Sequence, residues 1–83
     1  MRLKDKSIFT DVCFEYTIAT LHYGKFASAH EGFAILKEEV DELWDAVRLK
    51  QSDPARNVLM RKEAIQVAAM AIRFIHDVSG EEL

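Results

Sequence analysis

The chain has 83 residues, of which 49% are hydrophobic and 30% are charged, as is typical of one small folded domain with little disorder. A net charge of −3 argues against a nucleic-acid polymer as the main partner, because binding to a phosphate backbone needs an excess of lysine and arginine. No apolar run approaches the roughly 20 residues of a membrane span.

Further limits come from the N-terminal pattern, the cysteine count and the length. The N-terminal charges lead into an amphipathic pattern rather than an apolar signal segment, and a single cysteine excludes a disulfide framework. We therefore expect a cytoplasmic protein with one domain over residues 1–83. Because a chain this short buries only about 60–65% of its unfolded surface, we also expect it to form a homodimer or homotetramer.

The first predicted helix runs from about Asp5 to Tyr23. Its apolar stripe recurs at helical spacing and consists of Phe9, Val12, Tyr16, Ala19 and Tyr23. Cys13 lies beside this stripe, so a buried, reduced thiol is expected rather than a nucleophile. Gly24 is placed to end the helix in the left-handed conformation that is common at helix C-termini.

The second predicted helix starts near Ser28 and runs to about Lys50. Ser28 and Glu31 match a capping box, in which the serine oxygen accepts the Glu31 amide and Glu31 reaches back to the amide of the cap residue. The apolar seam of this helix consists of Phe33, Leu36, Val40, Leu43 and Val47. We place its core direction on the line through the last four of these residues.

The third predicted helix has Asp53 as its N-cap, Pro54 at its first position and an end near Val78, before Ser79 and Gly80. No alternating run of strand length occurs in the sequence. The predicted class is therefore all-α, with three main antiparallel helices. Two copies of a two-helix hairpin would complete a core of the four-helix-bundle type on dimerisation.

The carboxylates of the second helix divide into two groups. Three of them, Glu38, Asp41 and Asp45, are predicted to lie opposite the core, as a solvated acidic face would. Glu39 and Glu42 fall in a flanking sector that they share with Gly32, Ile35, Ala46 and Leu49. Because Glu39 and Glu42 are one turn apart on one side, they can point at a common cation.

Glu63 occupies the centre of an apolar stripe on the third helix, which consists of Met60, Val67, Met70 and Phe74. Burial of an unpaired carboxylate costs several kcal/mol. We therefore expect Glu63 either to form a salt bridge with a base of the first helix or of a partner chain, such as Lys25 or Arg73, or to bind a metal ion. Gln66 lies one turn further on. Glutamates without neighbouring histidines favour Mg²⁺ or Mn²⁺ over zinc.

Two further side chains leave alternatives open. His30, in the first turn of the second helix, has either a capping or surface role or a contact with a substrate phosphate or base. Trp44, beside the predicted seam, is either a core or interface residue or a stacking platform for a nucleobase. A second apolar line on the third helix, made of Ala68, Ile72 and Ile75, supports a subunit interface.

The two acidic motifs together resemble those of the MazG-like all-α nucleoside triphosphate pyrophosphohydrolases. That family has Glu-Glu-x-x-Glu on one helix and Glu-x-x-Asp on the next. The first motif is complete here as Glu38-Glu39-x-x-Glu42, and the second reads Glu63-Ala64-Ile65-Gln66. The resemblance covers about residues 30–78.

The resemblance implies that a nucleoside triphosphate is hydrolysed between its α and β phosphates to a monophosphate and pyrophosphate, as in cleansing of the nucleotide pool. It also implies a homo-oligomer that binds Mg²⁺, with Mn²⁺ as a substitute. By the same resemblance, Glu39, Glu42, Glu63 and Gln66 stand at metal-binding positions, and Glu38 is the catalytic base or an outer ligand. Basic candidates for the triphosphate are Lys25, Arg61, Lys62 and Arg73.

Gln66 departs from the family pattern, which has aspartate at this position. A glutamine carbonyl oxygen can bind Mg²⁺, but it brings no negative charge. The alternative is therefore a catalytically weak or inactive MazG-like module, which either binds nucleotide or metal without turnover or serves only as a helical oligomerisation domain.

Overall fold

A computed structural model describes residues 6–80. Within this range the chain forms three α-helices and no strand, namely α1 (Lys6–His22), α2 (Ala29–Val47) and α3 (Arg56–Val78). The all-α class is therefore confirmed, and α3 ends at Val78 as predicted, whereas the predicted helix start at Asp5 lies outside the described residues. None of these helices is both long enough and apolar enough to cross a membrane.

The central helix is α3, which packs against both α1 and α2. No Cα atom of α1 comes within 8 Å of one in α2. The two outer helices therefore form the walls of a groove whose floor is α3. The core at one end of this groove combines Ala19 of α1, Phe26 of the first loop and Met70 of α3.

The predicted core direction of α2 is correct only in part: Leu36, Leu43 and Val47 are half-buried, but the most buried side of the helix is rotated away from Phe33 and Val40. Its buried residues are Gly32 and Ala46, whereas Phe33 is 60% exposed and Val40 is 45% exposed. At Gly32 the helix passes so close to two aromatic rings that an added Cβ would lie 2.8 Å from Phe26 Cδ2. Small residues thus determine which side of α2 faces α3.

The predicted capping of α2 is largely confirmed. The Glu31 amide donates to Ser28 Oγ over 3.1 Å, and Glu31 Oε1 accepts a hydrogen bond of 2.9 Å from the Ala27 amide rather than from the amide of Ser28. The helix ends at Val47, three residues before the predicted end at Lys50. The residues that follow form a turn.

Two predicted helix ends differ from the structure. Helix α3 begins at Arg56 rather than Pro54, since Asp53 is used in the turn before it, where its Oδ1 accepts from the Ala55 amide at 2.9 Å. Gly24 does not adopt a left-handed conformation, and Gly80 (φ 84°) is the one described residue that does. The α1–α2 loop thus leaves the helix at Gly24 without the predicted cap.

The prediction that Cys13 is buried is wrong, because its side chain is exposed. Helix α1 packs on one neighbour alone and buries Val12 and Ala19, which leaves the flanks of its apolar stripe open. Other large apolar side chains are also exposed, among them Phe14 (63%) and Trp44 (59%). The single chain therefore leaves much apolar surface uncovered.

Candidate active site

Three glutamates from two helices converge between α2 and α3. Glu39 and Glu42 lie one turn apart on α2 and face Glu63 on α3, and one carboxylate oxygen from each lies within 4.8 Å of the other two. Glu39 and Glu63 are half-buried, whereas Glu42 is exposed. The close packing of α2 on α3 at Gly32 and Ala46 turns this side of α2 toward α3 and so brings the carboxylates together. We call Glu39, Glu42 and Glu63 the glutamate triad.

Two carboxyl groups of the triad, those of Glu39 and Glu63, have raised pKa values. Burial, followed by the neighbouring Glu42 carboxylate, raises the pKa of Glu39 from 4.5 to about 7. The pKa of Glu63 is raised by the same two causes in the same order. Such shifts arise when carboxylates share a site without a balancing cation.

Within residues 6–80 the charge of the triad is not balanced by an ion pair, although the positive charge of Lys62 acts to lower the pKa of Glu63. Across residues 6–80, no ion pair joins a lysine, arginine or histidine to any member of the triad. A salt bridge from Glu63 to Arg73 of the same chain is therefore wrong, whereas a base from a partner chain stays a prediction. Arg73 Nη2 instead donates to the Gly24 carbonyl oxygen at 2.9 Å and lies 3.9 Å from Asp77 Oδ2, and Lys25, the other predicted base, makes no such pair either.

The donor set of the triad fits a hard divalent cation. Ligands on opposite sides of Mg²⁺ lie about 4.2 Å apart, since each bond is about 2.1 Å long. Oxygen separations of up to 4.8 Å therefore need only a small side-chain adjustment. Three carboxylates would leave other positions of an octahedral ion for water or phosphate oxygens, whereas the histidine and cysteine ligands typical of zinc are absent from this cluster.

Glu39 also faces the groove between α1 and α2, which has a volume of about 740 Å³. This is within the range of small-molecule sites. The sides of the groove carry Glu38 and Glu39 from α2, its floor carries Gln66, and Lys25 lies in the loop that closes one end. The complete lining is Glu15, Ile18, Ala19, Tyr23, Gly24, Lys25, Phe26, Glu31, Ile35, Glu38, Glu39, Gln66, Met70 and Arg73.

The other two glutamates of the triad line a different cavity from the groove. Glu42 and Glu63 line a second cavity of about 330 Å³, together with Asp45, Ala46, Leu49 and Leu59. The triad therefore stands between this cavity and the groove. An ion held by the triad would be reached from the groove past Glu39.

The predicted substrate contacts are only partly brought together. Lys25 lines the groove, and Lys62 lines an adjoining cavity of about 380 Å³ that shares Gln66 with it. His30 and Trp44 are exposed and line neither. Arg61 is engaged in an ion pair of 2.8 Å with Asp11.

Sequence reasoning missed Glu15 and Tyr23, which both line the groove. Glu15 had a local signal, because it lies between Val12 and Ala19 at the spacing of one helix face. Tyr23 is 67% exposed and was assigned to the apolar stripe of the first helix. Its place at the groove depends on where the loop turns, which local periodicity does not reveal.

Comparison with known proteins adds nothing to this picture: no protein family, curated protein or solved structure matches the chain. The observations that bear on function are therefore the triad and the groove. Together they form an acidic site with the donor set of a divalent cation, beside a groove of the size of a small-molecule site.

Proposed function

We propose that the protein is a Mg²⁺-dependent nucleoside triphosphate pyrophosphohydrolase of the MazG-like class, which converts a nucleoside triphosphate and water to a monophosphate and pyrophosphate in the cytoplasm. The observation that carries the proposal is the glutamate triad at the side of the groove. A bound Mg²⁺ would supply charge neutralisation at the phosphates, with Mn²⁺ as a substitute. The resemblance of both acidic motifs to those of the family points the same way.

The other roles in the proposed reaction are assigned to residues of this chain. Glu39, Glu42 and Glu63 hold the ion, and the amide oxygen of Gln66 on the groove floor offers one further neutral ligand. Glu38 lines the same groove and accepts the proton of the water that attacks the anhydride as the bond between the α and β phosphates breaks. Lys25, which also lines the groove, offers a positive charge within it.

We include self-association in the proposal, because the outer side of α2 carries exposed apolar residues at helical spacing. Phe33 is 60% exposed, Val40 45% and Trp44 59%, and their separations of seven and four residues place them on one side of the helix. A second copy packed on this stripe would complete the four-helix core predicted from the sequence. Trp44 is then an interface residue.

The first test is an assay for pyrophosphate release from a panel of common and modified nucleoside triphosphates with Mg²⁺ or Mn²⁺. Wild type should release pyrophosphate, and Glu63→Gln should lose at least about 100-fold in rate, since second-shell changes alone cost 10- to 100-fold at metal sites. Asp41→Asn is the matched control, because Asp41 is an exposed α2 carboxylate paired with Lys37 at 3.1 Å. Absence of release from every nucleotide, or an active Glu63→Gln, would contradict the proposal.

Gln66 favours one second candidate, a nucleotide-binding or metal-binding module without turnover. Gln66 lines the groove beside Glu39 but lacks the charge of the aspartate in the family pattern. If Gln66→Asp gains hydrolysis over an inactive wild type, the protein is a binder whose catalytic site has lapsed. A purely structural oligomerisation domain is less well supported, because it needs a protein base at Glu63 and none pairs with Glu63 in the described part of the chain.

A further inference from the structure

Arg73 lies at the far end of the groove with an incompletely used guanidinium group. It is 4% exposed, and its plane lies over the Phe26 ring at 4.5 Å from the ring centroid. Nη2 is engaged with the Gly24 carbonyl oxygen at 2.9 Å. The hydrogen-bond acceptor of Nη1 within residues 6–80 is Met70 Sδ, at 3.7 Å.

A thioether sulfur is a weak acceptor, and a buried donor without a good partner is costly. Arg73 and Met70 both line the groove, so the Nη1 donors lie where a ligand in the groove can reach them. The geometry thus provides a nearly buried cationic donor that still has capacity to bind an acceptor atom.

The walls of the groove around Arg73 suit a flat apolar ring. Ile18 of α1 and Ile35 of α2 line opposite walls, and no Cα atom of one helix comes within 8 Å of a Cα atom of the other. Tyr23 is 67% exposed beside them and offers an aromatic face for stacking. A planar heterocycle could therefore lie between the isoleucines with one edge toward Arg73.

The distance between the Gln66 end and the Arg73 end of the groove fits the length of a nucleotide. Gln66, beside Glu39, and Arg73 are two turns apart on the same floor helix, so about 10 Å of helix rise separates them. A nucleotide likewise carries its phosphates at one end and its base at the other. This step rests on the proposed function, since it takes the phosphates to be at the triad.

The charges around Arg73 favour a neutral acceptor over a phosphate. Asp77 Oδ2 lies 3.9 Å from Nη2 and partly balances the guanidinium. The carboxylates that line the groove, those of Glu15, Glu31, Glu38 and Glu39, outnumber its one lysine, Lys25, which raises the cost of placing a bare anion there. A keto oxygen or ring nitrogen of a base is uncharged. It therefore is not repelled by these carboxylates and does not need the charge that Asp77 partly balances.

We infer that Arg73 reads the base of the nucleotide and that guanine is favoured over adenine. Guanine presents two acceptors on one edge, O6 and N7, to which arginine binds in preference, whereas adenine places an amino donor where guanine has O6. Arg73 and the slot between Ile18 and Ile35 form a base-recognition subsite of the proposed nucleotide site.

The test is binding of guanosine monophosphate and adenosine monophosphate to the full chain without metal. By calorimetry, the guanine nucleotide should bind about tenfold more tightly, because guanine O6 can accept a hydrogen bond from Nη1 where adenine presents a donor. In ¹³C methyl NMR spectra of wild type, guanosine monophosphate should shift the signals of Ile18 and Ile35 and leave those of Ile75 unchanged, since Ile75 does not line the groove. Equal binding of both bases, or no shift at Ile18 and Ile35, would overturn the inference.

Variants separate base reading from general binding. Arg73→Lys keeps the charge but removes the fork, and should lower the preference for guanine to less than about twofold, while Arg48→Lys, at an exposed arginine paired with Asp45, keeps it. Tyr23→Ala should weaken both monophosphates about equally, because stacking does not depend on the identity of the base. The exposed position of Tyr23 keeps this variant informative if Arg73→Lys fails to fold.

Failure of the subsite and failure of the proposed enzyme give different results. Monophosphates contain no anhydride bond, so selective guanine binding without pyrophosphate release would retain the subsite and reject the enzyme. Pyrophosphate release with no guanine preference would reject the subsite alone. If inorganic phosphate by itself shifts the Ile18 and Ile35 signals and displaces the nucleotide, Arg73 binds anions and the inference is wrong.

Discussion

Replacement of Glu39 by glutamine should stabilise the metal-free protein at alkaline pH. The pKa of Glu39 in the folded chain is about 7, against an ordinary value of 4.5, so the folded state retains a proton that the unfolded state loses between these values. Stability from this group is therefore present below about pH 4.5 and declines as the pH rises to about 7. Above that, the folded chain holds a charge beside Glu42 and Glu63.

The size of the effect follows from the raised pKa. One unit of pKa difference corresponds to about 1.4 kcal/mol, so the rise from 4.5 to about 7 sets an upper limit of about 3.5 kcal/mol. Because Glu39 is only half-buried and solvent screens part of the repulsion, we expect Glu39→Gln to raise the free energy of unfolding by about 1–2 kcal/mol at about pH 8. Near pH 4 the variant and wild type should agree within about 0.5 kcal/mol, as is usual for changes that remove no charge.

The assay is urea unfolding across this pH range with a chelator, at one fixed protein concentration. Asp41→Asn is the control, since Asp41 is exposed and lies in an i, i+4 pair with Lys37, and it should change stability by less than about 0.5 kcal/mol. Addition of Mg²⁺ should stabilise wild type and have little effect on Glu39→Gln. A stability difference that stays constant with pH would refute the reasoning, because it would show that the ionisation of Glu39 is not its cause.

Three further predictions concern packing, assembly and metal binding. Gly32→Ala should lower the free energy of unfolding by about 1–3 kcal/mol in thermal denaturation, because the new methyl would lie under 3 Å from two phenylalanine rings. The control Gly24→Ala places its methyl in open space and should change stability by less than about 1 kcal/mol. Equal effects of the two variants would contradict the packing argument. Trp44→Glu should shift the protein toward monomer in sedimentation equilibrium while helical circular dichroism is retained, and an unchanged oligomer would remove Trp44 from the interface. Mg²⁺ affinity should increase as the pH rises to about 7, since a bound cation competes with the proton on Glu39; a flat profile would exclude Glu39 as a ligand.

Local signals predicted much of the fold. The serine and glutamate at the start of α2 satisfy backbone amides near them in sequence, and the glycine after α3 adopts the positive φ that favours glycine. Apolar spacing located all three helices. These features depend on contacts within about one turn, which is the range over which sequence patterns carry information.

The orientation of α2 depended on information that the hydrophobic pattern lacks. Periodicity counted Phe33 and Val40 as part of the apolar seam, whereas the residue that packs closely against Phe74 of α3 is Gly32, which has no side chain. The error mattered for function, because it assigned Glu39 to a flanking sector when it lies on the side packed against α3. Its raised pKa follows from that burial.

The role of Arg73 was likewise beyond local reasoning. It was a candidate partner of Glu63 or of the triphosphate, but its guanidinium binds the carbonyl oxygen of Gly24, 49 residues away. Contacts of this separation are set by how the α1–α2 loop returns to α3. The proximity of the two acidic motifs, in contrast, could be predicted from the residue spacing within each motif and the packing of one helix against the other.

The most direct test of the central claim is a calorimetric titration of Mg²⁺ into wild type and Glu63→Gln, with and without a non-hydrolysable nucleoside triphosphate analogue. We predict that wild type binds Mg²⁺, that the nucleotide tightens this binding, and that Glu63→Gln, although folded, loses it. Absence of Mg²⁺ binding to wild type, or equal binding to Glu63→Gln, would contradict the account and leave the three glutamates as surface charge.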